Sequence, residues 1–162
     1  MPKLDPSLAP VKIGAAHPPP HGALTAGRRA LQLGELGGLS QFGVNLVTIK
    51  PGGMSSLRHW HEAEDEFVLV TGGEMILIED GGETPMRPGD CAAFPVGRAN
   101  GHHFVNRSER DATFLVVGSR APREVVHYAD IDLKVEVSGG RARFTTRDGR
   151  DYVPPKPEGE AE

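Results

Sequence analysis

Apolar and polar positions alternate in short runs along most of the chain: Arg29–Leu33, Phe42–Ile49, Leu57–His61, Glu66–Thr71, Met75–Glu79, Cys91–Phe94, His102–Asn106 and Thr113–Val117. Successive strand residues point to opposite faces, so these runs, each broken by turn-forming residues, read as half-buried strands. So many short strands predict an all-β fold, a closed barrel or a sandwich. The stretch Asp80-Gly81-Gly82-Glu83 falls where the chain must reverse, and glycine supplies the positive φ that hairpin turns demand. Further on, Ile131, Leu133, Val135 and Val137 alternate with Asp132, Lys134 and Glu136, the pattern of a strand buried on one face and expected on the outside or at an edge.

The ends break this pattern. Residues 1–26 carry six prolines, including Pro18-Pro19-Pro20, and read as an extended arm, either loose or laid across the barrel by Leu8, Val11 and Ile13. Residues 27–152 are expected to form the barrel, and residues 153–162, rich in Pro and Glu, a frayed tail. With 162 residues the chain fits one domain. Its 21 glycines and 14 prolines agree with many turns. A net charge of −4, with no basic patch interleaved with aromatics, argues against nucleic acid as a partner. No apolar run approaches the roughly 20 residues that span a bilayer, so no membrane association is expected. The single cysteine, Cys91, forbids an internal disulfide, and the N-terminus lacks a signal-peptide pattern, so a cytoplasmic location is expected. No Walker loop or dinucleotide-binding glycine pattern occurs.

The chemistry is concentrated in PGGMSSLRHWHEAEDEFVLVTGG, residues 51–73. His59 and His61 are two apart, so on a strand both imidazoles reach one face while Trp60 points away. Borderline divalent ions accept neutral imidazole, and Glu66 can add a neutralising carboxylate if the chain turns back. A second stretch offers His102 and His103, of which only one can face the interior. Taken singly, a histidine is more often a surface or locally hydrogen-bonded group, the reading adopted for His17, His21 and His127.

Together these two stretches resemble the motifs of the cupin superfamily. The first, G-x5-H-x-H-x4-E-x6-G, is matched by Gly53, His59, His61, Glu66 and Gly73. The second, G-x5-P-x-G-x2-H-x3-N, is matched by Gly89, Pro95, Gly97, His102 and Asn106, except that four residues rather than two separate Gly97 from His102, leaving Asn100 at the unshifted position. The resemblance implies a double-stranded β-helix, or jelly-roll barrel, holding one divalent transition metal ion (Zn, Mn, Fe or Ni) through His59, His61, Glu66 and His102. It further implies a small-molecule ligand or substrate and a homodimer.

Similarity to short single-domain cupins of the phosphomannose isomerase kind implies a sugar or sugar-phosphate isomerase; a metal-dependent dioxygenase and a non-catalytic ligand-binding cupin are the alternatives. Glu66 is a candidate catalytic residue, and Arg58, Arg98 or Lys50 a candidate phosphate ligand. No separate cofactor-binding residue is expected. Gly53, Gly73, Gly89 and Gly97 are read as turn glycines with positive φ, Cys91 as a small buried thiol, and the run Glu62, Glu64, Asp65 as solvent-facing.

Overall fold

The computed structural model describes residues 3–155; Met1 and Pro2 of the expected arm, and residues 156–162 of the expected tail, lie outside them. The strands are β1 (Val11–Ile13), β2 (Arg28–Gln32), β3 (Phe42–Ile49), β4 (His59–His61), β5 (Glu66–Gly72), β6 (Met75–Glu79), β7 (Gly82–Met86), β8 (Cys91–Phe94), β9 (His103–Val105), β10 (Ala112–Ser119), β11 (Arg123–Tyr128), β12 (Lys134–Ser138) and β13 (Arg141–Thr145). All pairings are antiparallel, in a six-stranded sheet β1-β2-β3-β10-β5-β8, a four-stranded sheet β13-β12-β11-β4 and a three-stranded sheet β7-β6-β9. The fold is all-β, as the alternation predicts.

The core follows from strand parity. Ala112, Phe114 and Val116 of β10, Val68 and Val70 of β5, and Val47 and Ile49 of β3 face inward and meet Met75, Leu77, Met86 and Phe104 from the three-stranded sheet. Burying a side chain of this kind contributes about 1.5–3 kcal/mol. Glu66 shares the parity of Val68 and Val70, so it enters the same interior despite its charge. A second, smaller cluster, centred on Tyr128, Leu133 and Val135, packs one face of the four-stranded sheet.

Four strands lie outside the alternating runs. Of these, β7 pairs with β6 across the expected tight turn, Glu79 opposite Gly82. The strand β13 covers β12, so the Ile131–Val137 segment lies between β11 and β13 and not at an edge. The arm is not loose: Val11, Lys12 and Ile13 pair with Leu31, Ala30 and Arg29. Val11 and Ile13 remain exposed, so backbone pairing rather than burial of their side chains holds the arm. Cys91 is exposed, contrary to the sequence reading, because Phe94 and Ala92 turn inward and leave Cys91 and Ala93 on the outer face of an edge strand. Gly73, Gly89 and Gly97 have positive φ, but Gly53 does not: its neighbour Gly52 turns the chain, and Gly53 is needed for space against Lys50 O and Ile49.

Candidate metal centre

The site is assembled by one cross-strand pair. His59 N–H donates to His102 O at 3.1 Å and His102 N–H to His59 O at 2.9 Å, so the two residues sit directly opposite and project their rings to the same side, centroids 4.8 Å apart. His61, two residues along β4, adds a third ring 5.0 Å from that of His59. Donor atoms of His59, His61 and Glu66 all lie within 4.8 Å of one another, an arrangement that could hold a metal ion. His102 stands beside this trio, its Nε2–H donating to Glu66 Oε2 at 2.8 Å and its ring stacked on Phe94. His103 takes the opposite parity, and its Nδ1–H donates to Ser56 O, away from the cluster. Asn100 is not near a ligand position: its side chain joins Glu79 Oε1 to the Asp80 N–H, so the two extra loop residues are taken up against the β6–β7 turn.

The donor set fits a cation. Burial, with His102 and His61 close by, pushes His59 down to about 3, so its imidazole is neutral at neutral pH. His59 Nδ1–H reaches Leu57 O and Ser56 Oγ, both at 2.9 Å, which leaves the Nε2 lone pair free. Burial alone would raise the Glu66 carboxyl, but the hydrogen bond from His102 and the surrounding imidazoles hold it well below the usual range, so it is ionised. His61 Nδ1 and His102 Nδ1 are buried without a hydrogen-bond partner. An ionised Glu66 among three imidazoles, two of them with an unsatisfied buried nitrogen, offers the donors and the negative charge that a divalent ion would balance.

One supporting residue was not foreseen. Glu124 shares a face of β11 with Val126 and Tyr128, which pair with His61 and His59. Its buried carboxylate accepts from Glu62 N at 2.9 Å and Ala63 N at 3.1 Å, and Oε1 lies 3.9 Å from His61 Nδ1. A carboxylate behind a ligating histidine is a common way to fix its ring. The signal was a glutamate at the inward parity of an apolar strand. Glu64 is also half-buried near His61, and burial raises its carboxyl, so the acidic run does not simply face solvent. Trp60 points away as expected and stacks on His127, ring centroids 4.2 Å apart.

A cavity of about 160 Å³ opens beside the cluster. His59, Glu66 and His102 form one end, Val68, Phe104, Phe114 and Val116 the apolar floor, and Lys12, Ala15, Ala16 and Arg28 the side supplied by the arm and β2. His17 pins that wall: Leu57 N–H donates to its Nε2 at 3.3 Å and its Nδ1–H reaches Tyr128 Oη at 3.1 Å. The expected phosphate ligands lie elsewhere. Arg58 is clamped between Asp80 and Asp130 and Lys50 pairs with Asp111 at 2.7 Å, while Arg98, exposed on the loop after β8, lines a smaller pocket with His61 and His102 on the other side of the cluster.

Residues 45–118 match the cupin domain family Cupin_2. Among solved structures, a sugar phosphate isomerase of the cupin superfamily from Silicibacter pomeroyi is 52% identical, with a TM-score of 0.91 over 94% of this chain and 97% of that one. A protein of Acidithiobacillus ferrooxidans, provisionally described as a sugar phosphate isomerase, is 28% identical, with a TM-score of 0.71 over 79% and 81%. A polyketide cyclase of Streptomyces resistomycificus shares the fold at 22% identity, with a TM-score of 0.65 over 81% and 87%. No curated protein matches the chain. With its motifs, its barrel and a 52% identical relative that it covers almost end to end, this chain belongs to the cupin superfamily.

Proposed function

We propose that the protein is a metal-dependent isomerase of a sugar phosphate, working at the cavity beside His59. The observation that carries this reading is the His59–His61–Glu66 cluster beside a cavity that His59, Glu66 and His102 line. It is supported by the activity ascribed to the 52% identical relative. His59, His61, Glu66 and His102 would hold the ion, with Glu66 and His102 exchanging their mutual hydrogen bond for it. A bound divalent ion would supply Lewis-acid polarisation of neighbouring carbonyl and hydroxyl oxygens. The chain does the rest. Val68, Phe104, Phe114 and Val116 exclude water from one side of the substrate, and Ser55 and Ser56 offer hydroxyls at the rim. Glu66, ionised and the only carboxylate on the cavity wall among the described residues, offers its oxygen not bound to the ion as acceptor for the proton that moves between adjacent carbons.

The test is turnover of a panel of aldose phosphates by the metal-loaded protein, followed by NMR of the ketose product, beside His61→Ala. We expect conversion by the parent protein and a loss of at least about 100-fold in the variant. Absence of turnover across the panel, with one equivalent of metal bound, would overturn the isomerase reading.

Two further features belong to this reading. The outer face of the six-stranded sheet carries Phe42, Phe67, Ala93 and Val117 around an open apolar groove, which a second copy would cover as a homodimer. The one thiol is exposed, which suits a reducing compartment, and we place the reaction in the cytoplasm. Among the described residues no helix is long and apolar enough to cross a membrane.

A further inference from the structure

We propose that Arg28 and Lys12 form a subsite for an oxyanion, a phosphate or carboxylate group on the ligand, in the cavity beside the histidine cluster. The inference deepens the isomerase reading, on which its choice of a phosphorylated ligand rests, but the subsite itself stands on the geometry of the arm.

Arg28 begins β2 at the parity of buried Ala30, so its side chain enters the barrel while Arg29 points to solvent. The arm then holds it in place from across the pairing: Gly14 N–H donates to Arg28 O at 2.8 Å, and Arg28 Nη1 donates back to Gly14 O at 3.0 Å. A guanidinium has five N–H donors, and this one bond is the only acceptor Arg28 finds among the described residues. Burial pushes its pKa down, and the nearby Glu66 only partly offsets that. Glu66 is not an ion-pair partner: its Oε2 takes the hydrogen bond of His102, and its charge belongs to the metal cluster. The other arginines near the barrel rim show the contrast, since Arg58 has two carboxylates and Arg107 and Arg120 one each.

Lys12 lies on β1 opposite Ala30 and lines the same cavity, with no acceptor among the described residues. Two cations with no ion-pair partner among the described residues, lining a cavity with room for several waters, make a positively charged wall beside the histidine cluster. A forked guanidinium and an ammonium are the donors that suit a phosphate or carboxylate. An anionic group held there would leave the neutral end of the same molecule towards His59 and Glu66.

The experiment is isothermal titration of the full-length protein, at its native metal content, with inorganic phosphate, glucose 6-phosphate, gluconate and glucose. Lys12→Gln, Arg28→Gln and Arg29→Gln are compared. The Lys12 side chain makes no hydrogen bond or ion pair among the described residues, so its variant reports on binding even if loss of the Gly14 bond loosens Arg28→Gln. We expect glucose 6-phosphate to bind at least tenfold tighter than glucose. Lys12→Gln and Arg28→Gln should each lose about tenfold for the phosphates with metal content unchanged, and Arg29→Gln should lose nothing. Tighter binding of gluconate than of phosphate, with the same dependence on Lys12, would assign the subsite to a carboxylate ligand. Equal affinities in the parent, Lys12→Gln and Arg28→Gln, or no preference for charged ligands, would overturn the subsite. Binding that depends on Lys12 and Arg28 without turnover of any aldose phosphate would keep the subsite and sink the isomerase; turnover indifferent to both residues would do the reverse.

Discussion

Ser56 is small and half-buried, yet it and the Leu57 carbonyl together fix the tautomer of His59. Replacing it with alanine removes one of the two acceptors of Nδ1–H and lets the ring rotate. Metal affinity should fall about tenfold, read by competition with a chelator, while the thermal midpoint of the metal-free protein changes little. Glu124→Gln should act similarly through His61, since the amide keeps the shape but not the charge facing Nδ1. The stronger test removes ligands outright. Protein purified without added metal should carry one equivalent of a transition ion, and the His59→Ala/His61→Ala double variant none, by elemental analysis. At this scale the sequence was informative wherever parity decides the outcome: His59 with His61, His102 against His103, Trp60 outward. It was silent on the anchoring of Arg58, Asn100 and His17, because their partners, Asp80, Asp130, Glu79 and Tyr128, are set by which strands meet and not by spacing along the chain.

Strands show the same division. The runs with strong apolar alternation, β3, β5, β6, β8 and β10, fall close to where the pattern places them because each has one face in the main core. Three of the four strands missed have little to bury: β1 is exposed throughout, β7 over four of its five residues and β13 over three of five. Pairing with a neighbour defines them, and a sequence carries no direct signal of the neighbour. Between β5 and β6 the turn is constrained sterically. Gly73 has φ of 69°, and a Cβ there would sit 2.5 Å from Asp111 O and 2.8 Å from Ala112 Cα. Gly73→Ala should therefore cost about 2 kcal/mol or more, a fall in thermal midpoint of roughly 5 °C or more by calorimetry. The arm is subject to pH through His17. Burial, aided by nearby His21, Arg28 and Lys12, lowers its pKa from 6.5 to about 4. Between those values the unfolded chain binds the proton and the folded one does not, so stability is full above pH 6.5 and declines as pH falls towards 4. His59 and His103, also depressed by burial, titrate in the same sense. The diagnostic result is a difference: the thermal midpoint of His17→Gln should fall less between pH 7 and pH 4.5 than that of the parent.

On the scale of the molecule, light scattering after size exclusion should give about twice the 17.4 kDa of one chain, and Phe67→Glu should halve it. Phe67 is 41% exposed on the outer face of β5, so its replacement disturbs no core packing. The overall architecture was the most legible property of all, because two glycine-punctuated motifs fix the turns of the barrel as well as its candidate ligands. The least legible was the wall of the cavity. Its cations come from residues 12 and 28, outside both motifs, and only the β1–β2 pairing brings them to the histidines. That separation divides the protein into two parts that can change independently. The candidate metal ligands sit on β4, β5 and the residue just before β9, each facing a cross-strand partner. The wall comes from residues 12–16 of the arm and from Arg28 of β2, joined by backbone bonds that tolerate most side chains. Substitutions between residues 12 and 16 should thus alter the cavity wall while the histidine cluster stays intact, making the arm a natural target for retuning selectivity and a poor place to attach a rigid fusion partner.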